Sequence, residues 1–133
     1  IDNVTPNNKL LTGSNRERTE VKRWEAVADG ILDAAVTIVL ENRRPKKEQS
    51  ADWTERQQRK IARALEFIAH ELGENAHCMG THFSLADVAV GTALGYLAFR
   101  FPEITWQESH ANLARLYDKL MQRPSFIETL PQA

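Results

Sequence analysis

The most constraining feature of this sequence is a helix start signal in residues 82–88, His-Phe-Ser-Leu-Ala-Asp-Val. The Ser84 side chain is placed to accept a hydrogen bond from a free N–H group of the first turn, and Asp87, three residues later, is placed to accept one from the Ser84 backbone. Phe83 before the cap and Val88 after it fit a hydrophobic staple, which sets the angle at which the chain enters a helix. The segment therefore predicts both where a helix begins and how it is aimed.

The helix that follows is apolar on nearly every side over residues 88–99. A helix of this kind in a soluble protein lies at the centre of the fold, where its capping groups cannot turn to water instead. A buried donor without an acceptor costs about 1–3 kcal/mol, compared with about 1 kcal/mol for the loss of an ordinary exposed cap. We therefore predict that Ser84 and Asp87 form a capping box that matters for folding.

The rest of the chain also shows helical periodicity, without an internal repeat or an alternating strand pattern of useful length. These patterns predict an all-α fold, a bundle of about five helices, over residues 15–133. Residues 1–14 are rich in Asn, Thr, Pro and Gly and are interpreted as a linker. The predicted helices span about 15–41, from near Asp52 to Gly73 with Glu55 as a second capping candidate, 84 to 99 or 100, about 109–122, and a short last helix from Pro124 that holds Phe126.

Composition and charge restrict the class of partner. The chain has 133 residues, 42% hydrophobic and 26% charged, which fits one globular domain. Its formal charge of −1 argues against binding to nucleic acid or to an anionic membrane. The single cysteine cannot form an internal disulfide, and no signal peptide or membrane-spanning apolar run is present. We expect a cytoplasmic protein that binds small molecules or proteins, and we expect that sequence upstream of Ile1 is missing.

Three residues that often carry chemistry, His77, Cys78 and His82, are crowded into one predicted loop. No second cysteine or matched histidine pair completes a tetrahedral zinc set. No flanking His or Lys is placed so as to lower the thiol pKa. We interpret the three as part of a surface loop and predict no metal site.

Asp29 and Asp33 lie one turn apart on the first predicted helix, beside its apolar stripe, and the same side continues toward Val36, Thr37 and Leu40. Such a strip either lines a cleft or is simply solvated. The sequence pattern alone leaves both alternatives open.

The sequence resembles a known family at several motifs. Residues 83–87, Phe-Ser-Leu-Ala-Asp, together with Leu-Ala-Arg-Leu-Tyr at 113–117 and Arg-Pro-Ser-Phe at 123–126, resemble the all-helical C-terminal domain of glutathione S-transferases. Residues 23–34, followed by Glu41 and Arg44-Pro45, resemble the first long helix of this domain in bacterial members. The resemblance covers nearly the whole chain, and the capping box is its most specific part.

The resemblance implies a two-domain parent protein. An N-terminal thioredoxin-like domain, absent from this chain, would bind glutathione and supply the Ser, Tyr or Cys that stabilises or replaces its thiolate; Ile1-Asp2 resembles the tail of that domain. The helical domain would contribute the pocket for a hydrophobic co-substrate and much of a homodimer interface. By carry-over, the pocket candidates are Asp33, Val36, Thr37 and Leu40, with Phe126 a weaker one, and Asp29 is a candidate to approach glutathione, across a dimer interface or within one subunit.

The function implied for the parent is a cytoplasmic detoxification enzyme that transfers glutathione, its co-substrate, to hydrophobic electrophiles. This chain alone has no catalytic residue and no cofactor by that reading, and it is expected to be inactive. The alternative is a noncatalytic helical interaction module of the same fold, since one fold hosts many functions.

Overall fold

The computed structural model describes residues 15–124, and their architecture is all-helical. The prediction of an all-α bundle of five helices is confirmed. The predicted linker at 1–14 and the predicted last helix with Phe126 lie outside the described residues. The helices are α1 Asn15–Asn42, α2 Ala51–Leu72, α3 Leu85–Arg100, α4 Trp106–Ser109 and α5 Ala111–Leu120, with a 3-10 turn at Lys46–Glu48.

The long helices α1 and α2 pack side by side in antiparallel directions, as the contacts at their ends show. At one end Arg23 of α1 pairs with Glu71 of α2, with 3.0 Å between Nη2 and Oε1, and its guanidinium stacks over Phe67. At the other end the carboxylate of Glu41 accepts a hydrogen bond of 2.6 Å from the backbone N–H of Ser50. The buried sides of the two helices are apolar and include Val21, Trp24, Ala28, Ile31, Ala35, Ile38, Ile61, Leu65 and Ile68.

Helix α3 forms the centre of the bundle, packed against α1 and α5. Val90, Ala93, Leu94 and Leu97 are completely buried, as expected for a helix that is apolar all round. Gly91 is buried on this helix too. Among residues 15–124, no helix has the length and apolar character needed to cross a membrane.

Helix α2 begins slightly earlier than predicted. The helix begins at Ala51, which confirms the predicted start near Asp52 to within one residue. Its N-cap is Ser50, whose hydroxyl accepts a hydrogen bond of 3.1 Å from the Trp53 N–H, so the prediction of Glu55 as a capping residue is wrong. Asp52 lies inside the first turn, where the helix dipole stabilises a negatively charged carboxylate. The predicted end is confirmed: Gly73 closes the helix at a φ of 55°, a left-handed conformation that favours glycine.

The helix predicted for about 109–122 is α5, at Ala111–Leu120. A short helix that was not predicted, α4, precedes it, and His110 lies between the two at φ −131° and ψ 83°. A long-range contact positions the start of α5. The side-chain amide of Asn112 donates to the backbone oxygens of Ala69 at 2.8 Å and Gly73 at 3.0 Å, which ties the start of α5 to the end of α2. Trp106 of α4 inserts into the core and is 1% exposed. A periodicity argument along one segment does not detect such an anchor.

Candidate functional site

The capping box at the start of α3 is formed and completely buried. The Ser84 N–H donates to Asp87 Oδ2 at 2.9 Å, and the Ser84 hydroxyl accepts from the Ala86 N–H at 3.2 Å. The other carboxylate oxygen of Asp87 accepts a hydrogen bond of 2.8 Å from the backbone N–H of Cys78. Asp87 therefore fixes both the start of the central helix and the loop that precedes it.

The interpretation of His77, Cys78 and His82 as a surface loop is wrong for the first two, which are buried, and only His82 is exposed. His77 and Gly80 exchange two backbone hydrogen bonds, of 2.9 and 3.0 Å, which close a tight turn that folds back on α3. Gly80 makes this turn possible with a φ of 109°. The hydrogen bond from the Cys78 N–H to the Asp87 carboxylate holds this loop against the start of α3.

The chemistry available to this buried loop is limited. Burial, aided by the negative charge of Asp87, raises the pKa of the Cys78 thiol far above its ordinary value, so the nucleophilic thiolate is suppressed. The His77 Nδ1 atom lies 3.5 Å from Asp87 Oδ1. No group of three or more possible metal ligands occurs within residues 15–124. The loop is a structural support.

Phe83 contacts both this region and the segment after α5. Its ring meets the His77 ring edge-on, with 6.1 Å between centroids, and the guanidinium carbon of Arg123 lies 3.8 Å from the centroid of the Phe83 ring. The predicted staple partner, Val88, is half-buried on α3. The described contacts of Phe83 thus connect the loop to the segment after α5.

The candidate binding residues lie together along the exposed side of α1. Asp29, Asp33, Val36, Thr37 and Leu40, hereafter the α1 strip, follow a spacing of four, three, one and three residues, which places them on one helix face. Val36 is 42% exposed and Leu40 56% exposed, while the opposite face of the helix is packed in the core. The Thr37 hydroxyl is turned back to the Asp33 backbone oxygen at 2.8 Å. Phe126, the remaining candidate, lies outside the described residues.

The α1 strip has a polar end and an apolar end. Two carboxylates stand near the middle of the helix, and two large apolar side chains stand toward its C-terminus. Gly30, beside the carboxylates, is exposed, and a Cβ built on it would meet nothing within 4 Å. Chemically, this surface offers contact area and negative charge, so it suits binding and orientation of a neighbour.

Comparison with known proteins gives a consistent result. Residues 51–119, from the start of α2 into the last turn of α5, match the family model described as the C-terminal domain of glutathione S-transferase. The uncharacterised GST-like protein YibF of Escherichia coli (strain K12) is 36% identical over 129 residues, which are 97% of this chain and 62% of that protein.

Two crystal structures of bacterial relatives share the fold closely. A glutathione S-transferase from Methylobacillus flagellatus with glutathione bound is 41% identical, with a TM-score of 0.91 over 96% of this chain and 63% of that one. A glutathione S-transferase from Methylobacterium radiotolerans in complex with glutathione sulfonate is 43% identical, with a TM-score of 0.91 over 96% of this chain and 60% of that one. The chain thus spans about three fifths of the length of these relatives.

The matched region contains the buried capping box, and the structural match extends over nearly all of the bundle, including α1. The chain therefore belongs to the glutathione S-transferase family, of which it forms the C-terminal helical domain.

Proposed function

We propose that this chain is the co-substrate-binding and dimerisation domain of a glutathione transferase, and that the α1 strip is one wall of its pocket for a hydrophobic electrophile. The exposure of Val36 and Leu40 carries the proposal. These apolar side chains face solvent on a helix whose other side is fixed in the core, so they are available to a ligand or partner without rearrangement of the bundle.

The reaction of the parent protein would be attack of the glutathione thiolate on an electrophilic carbon. A sulfur–carbon bond forms, and the leaving group departs with its electron pair, or a conjugated acceptor takes up a proton. The thioredoxin-like domain would bind the tripeptide and stabilise its thiolate. The only cysteine of this chain is buried and its pKa is raised, so it is unsuited to replace that nucleophile.

The polarity of the α1 strip suggests how substrates would be arranged. Val36 and Leu40 would contact the apolar body of the electrophile, while Asp33 and Thr37 would border it. Asp29 would approach glutathione, whose ammonium group is complementary to a carboxylate. Phe126 remains a weaker pocket candidate. Pairing of two subunits would bring a second copy to this region, and we expect the parent to be a cytoplasmic homodimer with a role in detoxification.

The direct test is to titrate glutathione calorimetrically into residues 1–133 and into the complete product of the gene, and to measure conjugation of glutathione to an aryl halide with both. We expect binding and conjugation with the complete product and neither with residues 1–133. Conjugation by residues 1–133 alone would contradict the assignment of glutathione activation to the thioredoxin-like domain. A complete product that binds no glutathione would point instead to a noncatalytic interaction module.

The wall assignment is tested by Leu40→Asp in the complete product. We expect the KM for an apolar electrophile to rise by roughly tenfold or more, because apolar contact is replaced by a charge, with the KM for glutathione unchanged. The matched control is Phe99→Asp, an exposed apolar residue of α3. An equal rise in the KM for the electrophile in both variants would show that the α1 strip does not line the pocket.

A further inference from the structure

The exposed side of α1 is acidic along the middle of the helix. Residues 26–40 contain two acidic residues, Asp29 and Asp33, and no Lys or Arg. Both are exposed and lie one turn apart, on one face of the helix. Neither takes part in an ion pair found within residues 15–124. We call these two residues the acidic ridge.

The exposed side of α2 carries the opposite charge. Residues 56–65 contain four basic residues and no acidic one. One of the four, Arg59, pairs with Glu55 of the same helix at 3.5 Å. The other three are exposed on one face and take part in no ion pair found in the described part of the chain; they are Arg56, Lys60 and Arg63. We call these three residues the basic ridge.

The two ridges lie side by side on one surface. The buried sides of α1 and α2 belong to one core, so their exposed sides turn the same way. The register of the two helices is fixed by the contacts at the ends of the pair, between Arg23 and Glu71 and between Glu41 and Ser50. At about 1.5 Å per residue, Asp29 and Arg63 lie about 9 and 12 Å from the first of these contacts, and Asp33 and Lys60 about 15 and 17 Å. The charges of the two ridges are therefore level with each other along the helices.

A second copy of the chain is complementary to this surface. A two-fold axis parallel to the helices, between α1 and α2, preserves height along them and places α1 of each copy opposite α2 of the other. The acidic ridge of each copy then faces the basic ridge of the other, at two equivalent places. Gly30, exposed beside the acidic ridge, carries no side chain that would hold a second copy away. A polyanion bound at the basic ridge would instead bring negative charge next to Asp29 and Asp33.

We propose that this surface joins two copies of the chain through paired charges, with Asp33 of each copy against Lys60 of the other and Asp29 against Arg63. The proposal rests on the dimerisation part of the proposed function, and it specifies the surface and the residues. Complementary charges fix the register of such a pair, because other registers bring like charges together. A carboxylate has two acceptor oxygens, so Asp29 can serve both Arg63 of the other copy and an ammonium group.

Reversal of charge tests the pairing, by sedimentation equilibrium of the complete product of the gene without glutathione. Asp33→Lys and Lys60→Glu should each raise the dimer dissociation constant by roughly tenfold or more, because the two-fold axis makes each substitution act twice. The double variant restores opposite charges and should return to within roughly threefold of the parent. Arg115→Glu, the same charge change at an exposed residue of α5, is the matched control and should dimerise as the parent does.

Two results would overturn the pairing: single variants that dimerise like the control, or a double variant that dimerises no more tightly than the single ones. Circular dichroism of each variant checks that the helices are retained. Glutathione titration of the parent product separates this proposal from the transferase function. A product that binds glutathione but fails the charge-reversal test loses only the pairing, whereas one that passes the test and binds no glutathione keeps the pairing and loses the transferase function.

Discussion

The two carboxylate oxygens of Asp87 hold two separate pieces of the chain. Oδ2 accepts the Ser84 N–H, and Oδ1 accepts the N–H of Cys78, nine residues upstream. The first bond was predictable, because a capping box is defined by residues three apart. The second depends on a loop folding back through the His77–Gly80 turn, and no local spacing announces it. For this reason the sequence revealed the box but not the burial of His77 and Cys78.

Substitution of Asp87 should be more damaging than substitution of Ser84. Ser84→Ala removes one cap acceptor and should lower the free energy of unfolding by about 1–2 kcal/mol. Asp87→Ala leaves two buried N–H groups without acceptors, at about 1–3 kcal/mol each, so we expect a loss of about 3 kcal/mol or more. Urea denaturation measures both. The control is Asp29→Ala on the exposed side of α1, expected within about 0.5 kcal/mol of the parent; equal losses for the two aspartates would contradict the structural role of Asp87.

Cys78 should make the stability of the fold sensitive to alkaline pH. Its folded-state pKa is raised, so the thiol contribution to stability is intact below the unfolded pKa, about 8.5, and declines above it, where the unfolded chain releases the proton and the folded chain keeps it. We expect the free energy of unfolding to fall between about pH 8.5 and 9.5, and Cys78→Ala to remove that part of the slope. A disulfide reagent should label Cys78 in urea and not in buffer. Rapid labelling of the folded chain would show that the loop opens.

The connection between α1 and α2 is a joint built on one carboxylate. Glu41, buried near the end of α1, accepts the Ser50 N–H at the start of α2 and pairs with Arg44 at 3.2 Å. The Ser50 hydrogen bond lowers the pKa of Glu41, with Arg44 acting in the same direction. The basic composition of residues 43–47 predicted a break here, but the residue that organises the break lies inside the preceding helix.

Glu41→Gln should weaken this joint in a pH-dependent manner. A depressed carboxyl pKa stabilises the fold above the unfolded value, about 4.3, and this stabilisation is lost as the pH falls through the folded value. We therefore expect the variant to unfold at lower urea concentration than the parent at pH 7, and the difference to shrink below about pH 4. The neighbouring exposed Glu48, changed to Gln, serves as the control. A difference that is independent of pH would mean that shape, not charge, holds the joint.

At the scale of elements, the predictable ends are those with local causes. Gly73 ends α2 because its backbone adopts a left-handed conformation, and Ser84 starts α3 because its hydroxyl is an acceptor. Helix α4 was not predicted, and the bonds from Asn112 that tie the start of α5 to the end of α2 join residues about 40 positions apart.

The whole molecule presents an apolar end on α1 that should drive self-association of the chain on its own. Val36 and Leu40 are among its most exposed large apolar residues. We expect sedimentation to show concentration-dependent dimers or larger species, and Val36→Lys with Leu40→Lys to raise the dissociation constant by roughly tenfold or more, since both apolar contacts are lost and like charges are introduced. Phe99→Lys, at an apolar residue of another helix, should change little. A monomer at every concentration would contradict this expectation.

The position of the candidate residues on α1 shows the limit of sequence reasoning at this scale. Their spacing placed them on one face, and the buried stripe fixed which face would turn outward. Whether that face lines a pocket or is solvated depends on what lies against it. This is a property of a neighbouring domain or subunit, so the sequence of one chain does not determine it.

At Gly30, the addition of a single methyl group has consequences at each of these scales. It lies on the exposed side of a helix of 28 residues, where alanine would favour the helix by about 1 kcal/mol and meet nothing within 4 Å. Gly30→Ala should therefore raise the melting temperature of the chain on its own. If another surface rests on α1 at this point, the same methyl group should hold it away from the helix backbone and weaken assembly. The absence of a side chain at Gly30 would then indicate that the neighbouring surface comes into direct contact with the backbone of α1.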